Sequence, residues 1–160
     1  MNFSNPVEVV FDTSALLGAA IFEKQGREKG EAKEALEYLN AQNHMLVLSR
    51  EIIEESTGRL WLKGERGSNY IRKLFDLLDE LDRQGRVIRS TKNKRIELRV
   101  QIPERLEHDI HVIRTAVDLT RKGITVCLIH KNPRDFEPIK EEMRKKHGIL
   151  VLKPEEYVDP

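Results

Sequence analysis

Apolar residues gather in four short runs: Val7–Phe11 (VEVVF), residues 45–48 (MLVL), residues 124–129 (ITVCLI) and Ile149–Leu152 (ILVL). A weaker fifth lies at residues 87–88. Runs of this length, rich in β-branched side chains and poor in alternation, suit strands covered on both faces. Between them the apolar period lengthens to that of a helix. Residues 13–22 (TSALLGAAIF) predict a first helix with Thr13 or Ser14 as N-cap. Ala32, Ala35, Leu36 and Leu39 mark a second, and Ile52, Ile53, Leu60 and Trp61 a third headed by Ser49. Ile71, Leu74, Phe75, Leu78 and Leu81 mark a fourth, stopped by Gly85. Residues 104–122 predict a long helix with Ile110, Ile113, Ala116 and Val117 inward, stopped by Gly123. Residues 133–147 predict another, with Phe136, Ile139 and Met143 inward and Gly148 as its stop. A short turn or helix follows at residues 154–157. The glycine-containing polar stretches 25–30 and 64–69 read as loops, and residues 89–101 follow neither period.

Strands alternating with helices imply right-handed crossovers and a parallel sheet, so the expected class is three-layer α/β/α with four or five strands. At 160 residues the chain is expected to be one domain, spanning 1–160, and large enough to bury roughly two thirds of its unfolded surface. Twenty-eight Lys and Arg nearly balance 27 Asp and Glu, which argues against disorder driven by net charge. The single cysteine, Cys127, excludes an intramolecular disulfide and a thiolate-rich metal site, and suits a reducing compartment. The longest aliphatic runs fall far short of the ~20 residues that cross a bilayer. Residues 1–6 carry no basic leader ahead of the first apolar run. The expectation is a cytoplasmic protein that does not engage a membrane.

Ligand crevices of open parallel sheets lie beyond the carboxyl ends of the strands, so residues just after each run carry the chemistry. Asp12 follows the first strand directly, with the hydroxyls of Thr13 and Ser14 beside it. Glu51, Glu54 and Glu55 fall in the early turns of the helix after the second strand. Asp109 sits early in the long helix before ITVCLI, and Asp135 opens the helix after it. An acid in such a place is commonly an N-cap or a partner of the helix dipole. Asp12 stands apart, because at the end of a buried strand it is a charge at the edge of the core. Carboxylates converging there raise one another's pKa and call for a neutralising group. A hard dication such as Mg²⁺ neutralises them, and can activate a water and stabilise charge at phosphorus.

VVFDTSALLG, LSREIIEES, EHDIHVIRTAVDL, VCLIHKNPRDF and GILVLKPEEYV, taken in this order, resemble the successive landmarks of the PIN-domain family over nearly the whole chain, from Val7 to Tyr157. The resemblance implies an α/β ribonuclease using Mg²⁺ or Mn²⁺ held by acidic side chains. It carries the first aspartate onto Asp12, with Thr13 or Ser14 as the orienting hydroxyl, the glutamate onto Glu55 with Glu54 as the alternative, and the next aspartate onto Asp109. The fourth landmark departs. Where family members commonly read Thr-Asn-Asp-x-Asp-Phe, this chain reads Lys131-Asn132-Pro133-Arg134-Asp135-Phe136. Proline cannot ligate a metal. Either Asp135 substitutes, three carboxylates suffice, or catalysis is impaired.

Lys131 and Arg134 would then sit beside the acids, either steering RNA phosphates or neutralising carboxylates in place of a cation. The basic stretch Arg86, Arg89, Lys92, Lys94, Arg95 and Arg99, holding the one acid Glu97, reads as a phosphate contact or a solvated loop. His108 and His111 are spaced to share a metal, but no third soft ligand accompanies them, so they read as surface or hydrogen-bonding histidines rather than a zinc site. Trp61 and Tyr70 read as packing residues, and Cys127 as a small core residue. No G-x-G-x-x-G follows the first strand and no P-loop is present, which disfavours a dinucleotide or nucleotide-phosphate site. An aspartyl phosphatase usually carries a second aspartate where Ser14 stands. The leading expectation is a Mg²⁺- or Mn²⁺-dependent endoribonuclease acting on single-stranded RNA, its toxin subtype held in check by an antitoxin. The alternative is a catalytically weak or inactive RNA-binding or protein-interaction module on the same fold. A homodimer is expected by resemblance alone.

Overall fold

The computed structural model of the chain describes residues 3–21, 30–90 and 97–158. In chain order the elements are β1 (Val7–Phe11), α1 (Thr13–Ala20), α2 (Glu31–Ala41), β2 (Met45–Ser49), α3 (Arg50–Trp61), α4 (Gly64–Arg83) and β3 (Val87–Ser90). A 3₁₀ segment (Glu104–Asp109) then leads into α5 (Ile110–Leu119), β4 (Thr125–Ile129), α6 (Pro133–His147), β5 (Ile149–Leu152) and α7 (Pro154–Val158). The five strands form one all-parallel sheet in the order β3-β2-β1-β4-β5. The expected α/β class is what the molecule adopts, with five strands.

β1 lies in the middle. Val9 and Val10 point to opposite faces of the sheet and both are inaccessible, so helices cover the two sides. β4 repeats this with Cys127, Leu128 and Ile129. The backbone at the end of β1 is pinned to its neighbour by Asp12 N–H donating to the Ile129 carbonyl (2.9 Å). Because all strands run the same way, the residues that follow β1, β2 and β4 gather along one edge. At mid-strand on β1, buried Glu8 is held by Arg121 through two guanidinium contacts, at 2.5 and 3.3 Å. Among the described residues no helix is long and apolar enough to cross a membrane.

Local signals explain most boundaries. Ser49 caps α3, its Oγ accepting from Ile52 N–H (3.1 Å). Gly148 ends α6 in the left-handed conformation (φ 69°). Three expectations need correcting. Residues 64–69 are the first turns of α4 rather than a loop. Gly67 is buried there, because a side chain would collide with the end of α3: an added Cβ would lie 1.7 Å from the Leu60 carbonyl oxygen. The glycine marks a close approach of two backbones, not a break. The helix expected over 104–122 is shorter, starting as 3₁₀ after Pro103 and ending at Leu119. Trp61, expected to pack inward, is 72% exposed, and Phe75 is 41% exposed. The expected loop over 25–29 and the basic residues Lys92, Lys94 and Arg95 lie outside the described residues.

Gly67→Ala is expected to destabilise the fold by about 1–3 kcal/mol, since backbone must shift to make room. Gly58→Ala, also near the α3–α4 corner but with nothing within 4 Å of the added methyl, is expected to gain about 0.5–1 kcal/mol. Denaturant melts of the two variants beside the wild type check this pair. Equal responses would contradict the close-contact account.

Candidate functional site

Asp12 leaves β1 in an extended conformation and becomes the N-cap of α1, its Oδ1 accepting from Ala15 N–H (2.7 Å). Capping accounts for a short polar residue here, but serine, threonine or asparagine caps as well and carries no charge. Asp12 is 2% exposed. Burial pushes its pKa up to about 7, the Ala15 N–H opposes this, and the charges of Asp109 and Glu55 add to the rise while Arg59 lowers it. Asp109, at the junction of the 3₁₀ segment and α5, is buried too, and its pKa is raised by burial and by Glu55. Glu55, one and a half turns into α3, completes the group. Three carboxylates from three separate elements thus act on one another at the edge beyond the strand ends.

Three basic side chains share the space. Glu55 Oε1 accepts from Arg59 Nη2 (2.6 Å), one helical turn on, and Glu55 Oε2 meets His111 Nε2 (2.7 Å). His108 Nε2 lies 3.2 Å from Asp109 Oδ2. Both oxygens of Glu55 are therefore engaged. Among the described residues, no group of three or more His, Cys, Asp or Glu side chains is arranged to hold a metal ion. The carboxylates suit a hard dication in kind, and two polar atoms are buried with no partner: Thr13 Oγ1 and His111 Nδ1. Coordination by Glu55 requires that it let go of Arg59 or His111.

The other candidate residues are placed as follows. Thr13 turns inward and Ser14 outward, so Thr13 is the hydroxyl on the buried side of Asp12. Glu54 faces solvent and pairs with Arg50 (2.7 Å), which leaves Glu55 as the acid on the site. Asp135 is not brought into the group. It sits in the first turn of α6, its Oδ2 accepting from Asn132 Nδ2 (2.5 Å), and its charge does not figure among those acting on Asp12 or Asp109. Lys131 is exposed and lies over α1, its Cδ 3.2 Å from where a Cβ on Gly18 would stand. Arg134 is exposed. In the basic stretch, Arg86 bonds Asn43 and Arg89 pairs with Asp82.

Sequence reading missed Arg59; it took His108 and His111 as surface or hydrogen-bonding histidines, and His111 is indeed bonded to Glu55. The available signal was the four-residue spacing from Glu55 to Arg59, which puts both on one helix face. His130 was also passed over. It is fully buried after β4, stacked on Phe136 (ring centroids 4.7 Å apart), with Nδ1 accepting from Asn132 N–H (3.2 Å). Burial lowers its pKa to about 4, so it is neutral and anchors the turn that carries Lys131 to Asp135. No protein-family model matches the chain, and no curated protein matches it.

The protonation of Asp12 carries a stability signature. Its folded pKa near 7 stands above the ordinary 3.8, so the folded state holds the proton longer than the unfolded chain. The stabilisation this gives is complete below about pH 4 and is lost as the pH rises through about 7. In the presence of chelator, Asp12→Asn, which can keep the Ala15 cap, is expected to be more stable than the wild type at pH 8, by on the order of a few kcal/mol, with the gap closing towards pH 4. Denaturant titrations at both pH values check this. A variant no more stable at pH 8 would mean that the ionised Asp12 is not strained.

Proposed function

We propose that the chain is a Mg²⁺- or Mn²⁺-dependent endoribonuclease of the PIN type, cutting single-stranded RNA at the edge formed by Asp12, Glu55 and Asp109. The observation that supports it is the mutual charge coupling of these three acids, two of them buried, where a neutral capping residue at position 12 would be better tolerated. Asp12, Asp109 and Glu55 would hold the ion. When bound, it supplies Lewis-acid polarisation of the phosphoryl group and an acidified water. The chain's own residues do the rest. Asp12 is oriented by the Ala15 N–H, and Thr13 Oγ1 has a free hydroxyl on the buried side of that carboxylate. Arg59, released from Glu55, is the cation placed to meet a phosphate oxygen as charge builds there. Lys131 and Arg134 stand outside the acids, where they can hold the strand.

A second reading, a non-catalytic RNA-binding or protein-interaction module, is favoured by Pro133 in place of an acid and by Arg59 and His111 occupying both oxygens of Glu55. In that reading these two side chains are the permanent partners of Glu55 and no ion is required.

Incubation of the pure protein with labelled single-stranded RNA and Mn²⁺, with and without chelator, separates the two. The nuclease reading expects cleavage that chelator abolishes, with Asp12→Asn and Asp109→Asn each lowering the rate by on the order of 100-fold or more, the scale of losing one charge-stabilising group. Arg59→Gln is expected to tighten Mn²⁺ binding by freeing one Glu55 oxygen. Cleavage indifferent to chelator and to both aspartates, or binding of RNA with no cleavage, would overturn the proposal.

A further inference from the structure

α3 does not end at the acid group. Glu55, Arg59 and Leu62 recur at i, i+4 and i+7 and so share one face, which carries that face about 10 Å beyond Glu55 along the helix. Leu62, still in a helical conformation, is 87% exposed, and its neighbour Trp61 is 72% exposed. They are two of the three large apolar side chains most open to water among the described residues. A lone exposed leucine is ordinary; an indole and an isobutyl group exposed at consecutive positions of one helix end offer more apolar surface to a partner than either alone.

The corner that displays them is stiff. Gly64 turns the chain with φ 65°, and Gly67 lets the first turns of α4 lie against the Leu60 carbonyl, immediately before Trp61. Two cations follow the pair in the chain. Lys63 makes no ion pair among the described residues, and Arg66 lies over the Tyr70 ring (5.9 Å) with its charge otherwise unmatched. Against them the sequence from Trp61 to Tyr70 holds one acid, Glu65. An exposed aromatic side chain on a corner that also carries these cations is complementary to a polyanion with its own ring faces, which describes an unpaired nucleotide strand.

We propose that Trp61 and Leu62 form a stacking subsite for an unpaired base of single-stranded RNA, with Lys63 and Arg66 meeting the adjoining phosphates. The inference rests on the proposed function for where the strand goes next, about one helical turn past Arg59 to the acids, but not for the binding itself. Stacking on an indole tolerates any base, so the subsite adds affinity and direction rather than sequence preference.

Trp61 is the chain's one tryptophan, so its fluorescence reports this position alone. The full chain is titrated with a 12-nucleotide oligouridylate in excess chelator, so that no cleavage occurs, and binding is followed in parallel by anisotropy of a labelled strand. Saturable quenching of Trp61 that tracks the anisotropy is expected, with none from a blunt RNA duplex. Trp61→Ala is expected to weaken binding about tenfold, and Trp61→Phe, which keeps a ring, by no more than about threefold. Lys63→Gln and Arg66→Gln should each reduce the salt slope of binding by about 1. RNA binding without quenching, equal losses from Trp61→Ala and Trp61→Phe, or an emission blue-shift that follows protein concentration without RNA (a second copy seated on the corner) would overturn the subsite. Quenching in a protein that cuts no RNA with Mn²⁺ would leave the subsite standing and sink the nuclease. Mn²⁺-dependent cleavage without quenching would do the reverse.

Discussion

The structure turns on a carboxylate placed where water cannot reach it. Asp12 ends the central strand, its backbone is bonded to β4, and its side chain caps α1, so it has no freedom to swing outward. A buried charge of this kind is tolerated only with a neutralising partner; Asp109 and Glu55 work against it and Arg59 works for it. Whatever the chain does at this edge, it does with a set of groups that repel one another unless something positive sits among them. Arg59 provides that charge in the structure described, with His108 and His111 lying against Asp109 and Glu55. A dication would provide more of it in less space, and would free Arg59 for a phosphate.

The fold serves this arrangement in a plain way. An all-parallel sheet directs the exits of β1, β2 and β4 to one edge, so α1, α3 and α6 all start there. Short connections then dictate which residues stand first: Asp12 as a cap, Ser49 as a cap with Glu55 six residues on, and the turn from His130 to Asp135. The last of these is built on a buried neutral histidine and on Asn132, whose side-chain amide donates to Asp135. Asp135 is thus engaged by the Asn132 side chain within its own turn.

How much of this was legible in the sequence follows from the range of the forces involved. The strands were legible because VEVVF, MLVL, ITVCLI and ILVL are apolar without alternation, and the edge carrying the acids follows from topology alone. Glu55 could be placed only to within one residue of Glu54, since neighbouring positions on a helix differ by about a third of a turn and only the packing of α3 decides which one faces inward. The pairing of His111 with Glu55 spans 56 residues and could not be read from either segment. Gly67 misled for a related reason: a glycine required by a neighbouring backbone is indistinguishable in sequence from one that breaks a helix. Trp61 misled because an apolar side chain at the end of a buried face is ordinarily buried with it.

The central claim, that a divalent cation belongs among Asp12, Glu55 and Asp109, is tested most directly by anomalous diffraction from crystals soaked in Mn²⁺. The account predicts a peak in contact with Asp12 and Asp109, with Glu55 turned from Arg59 towards the ion. Crystals that show no anomalous density at this edge, with both Glu55 oxygens still held by Arg59 and His111, would contradict it.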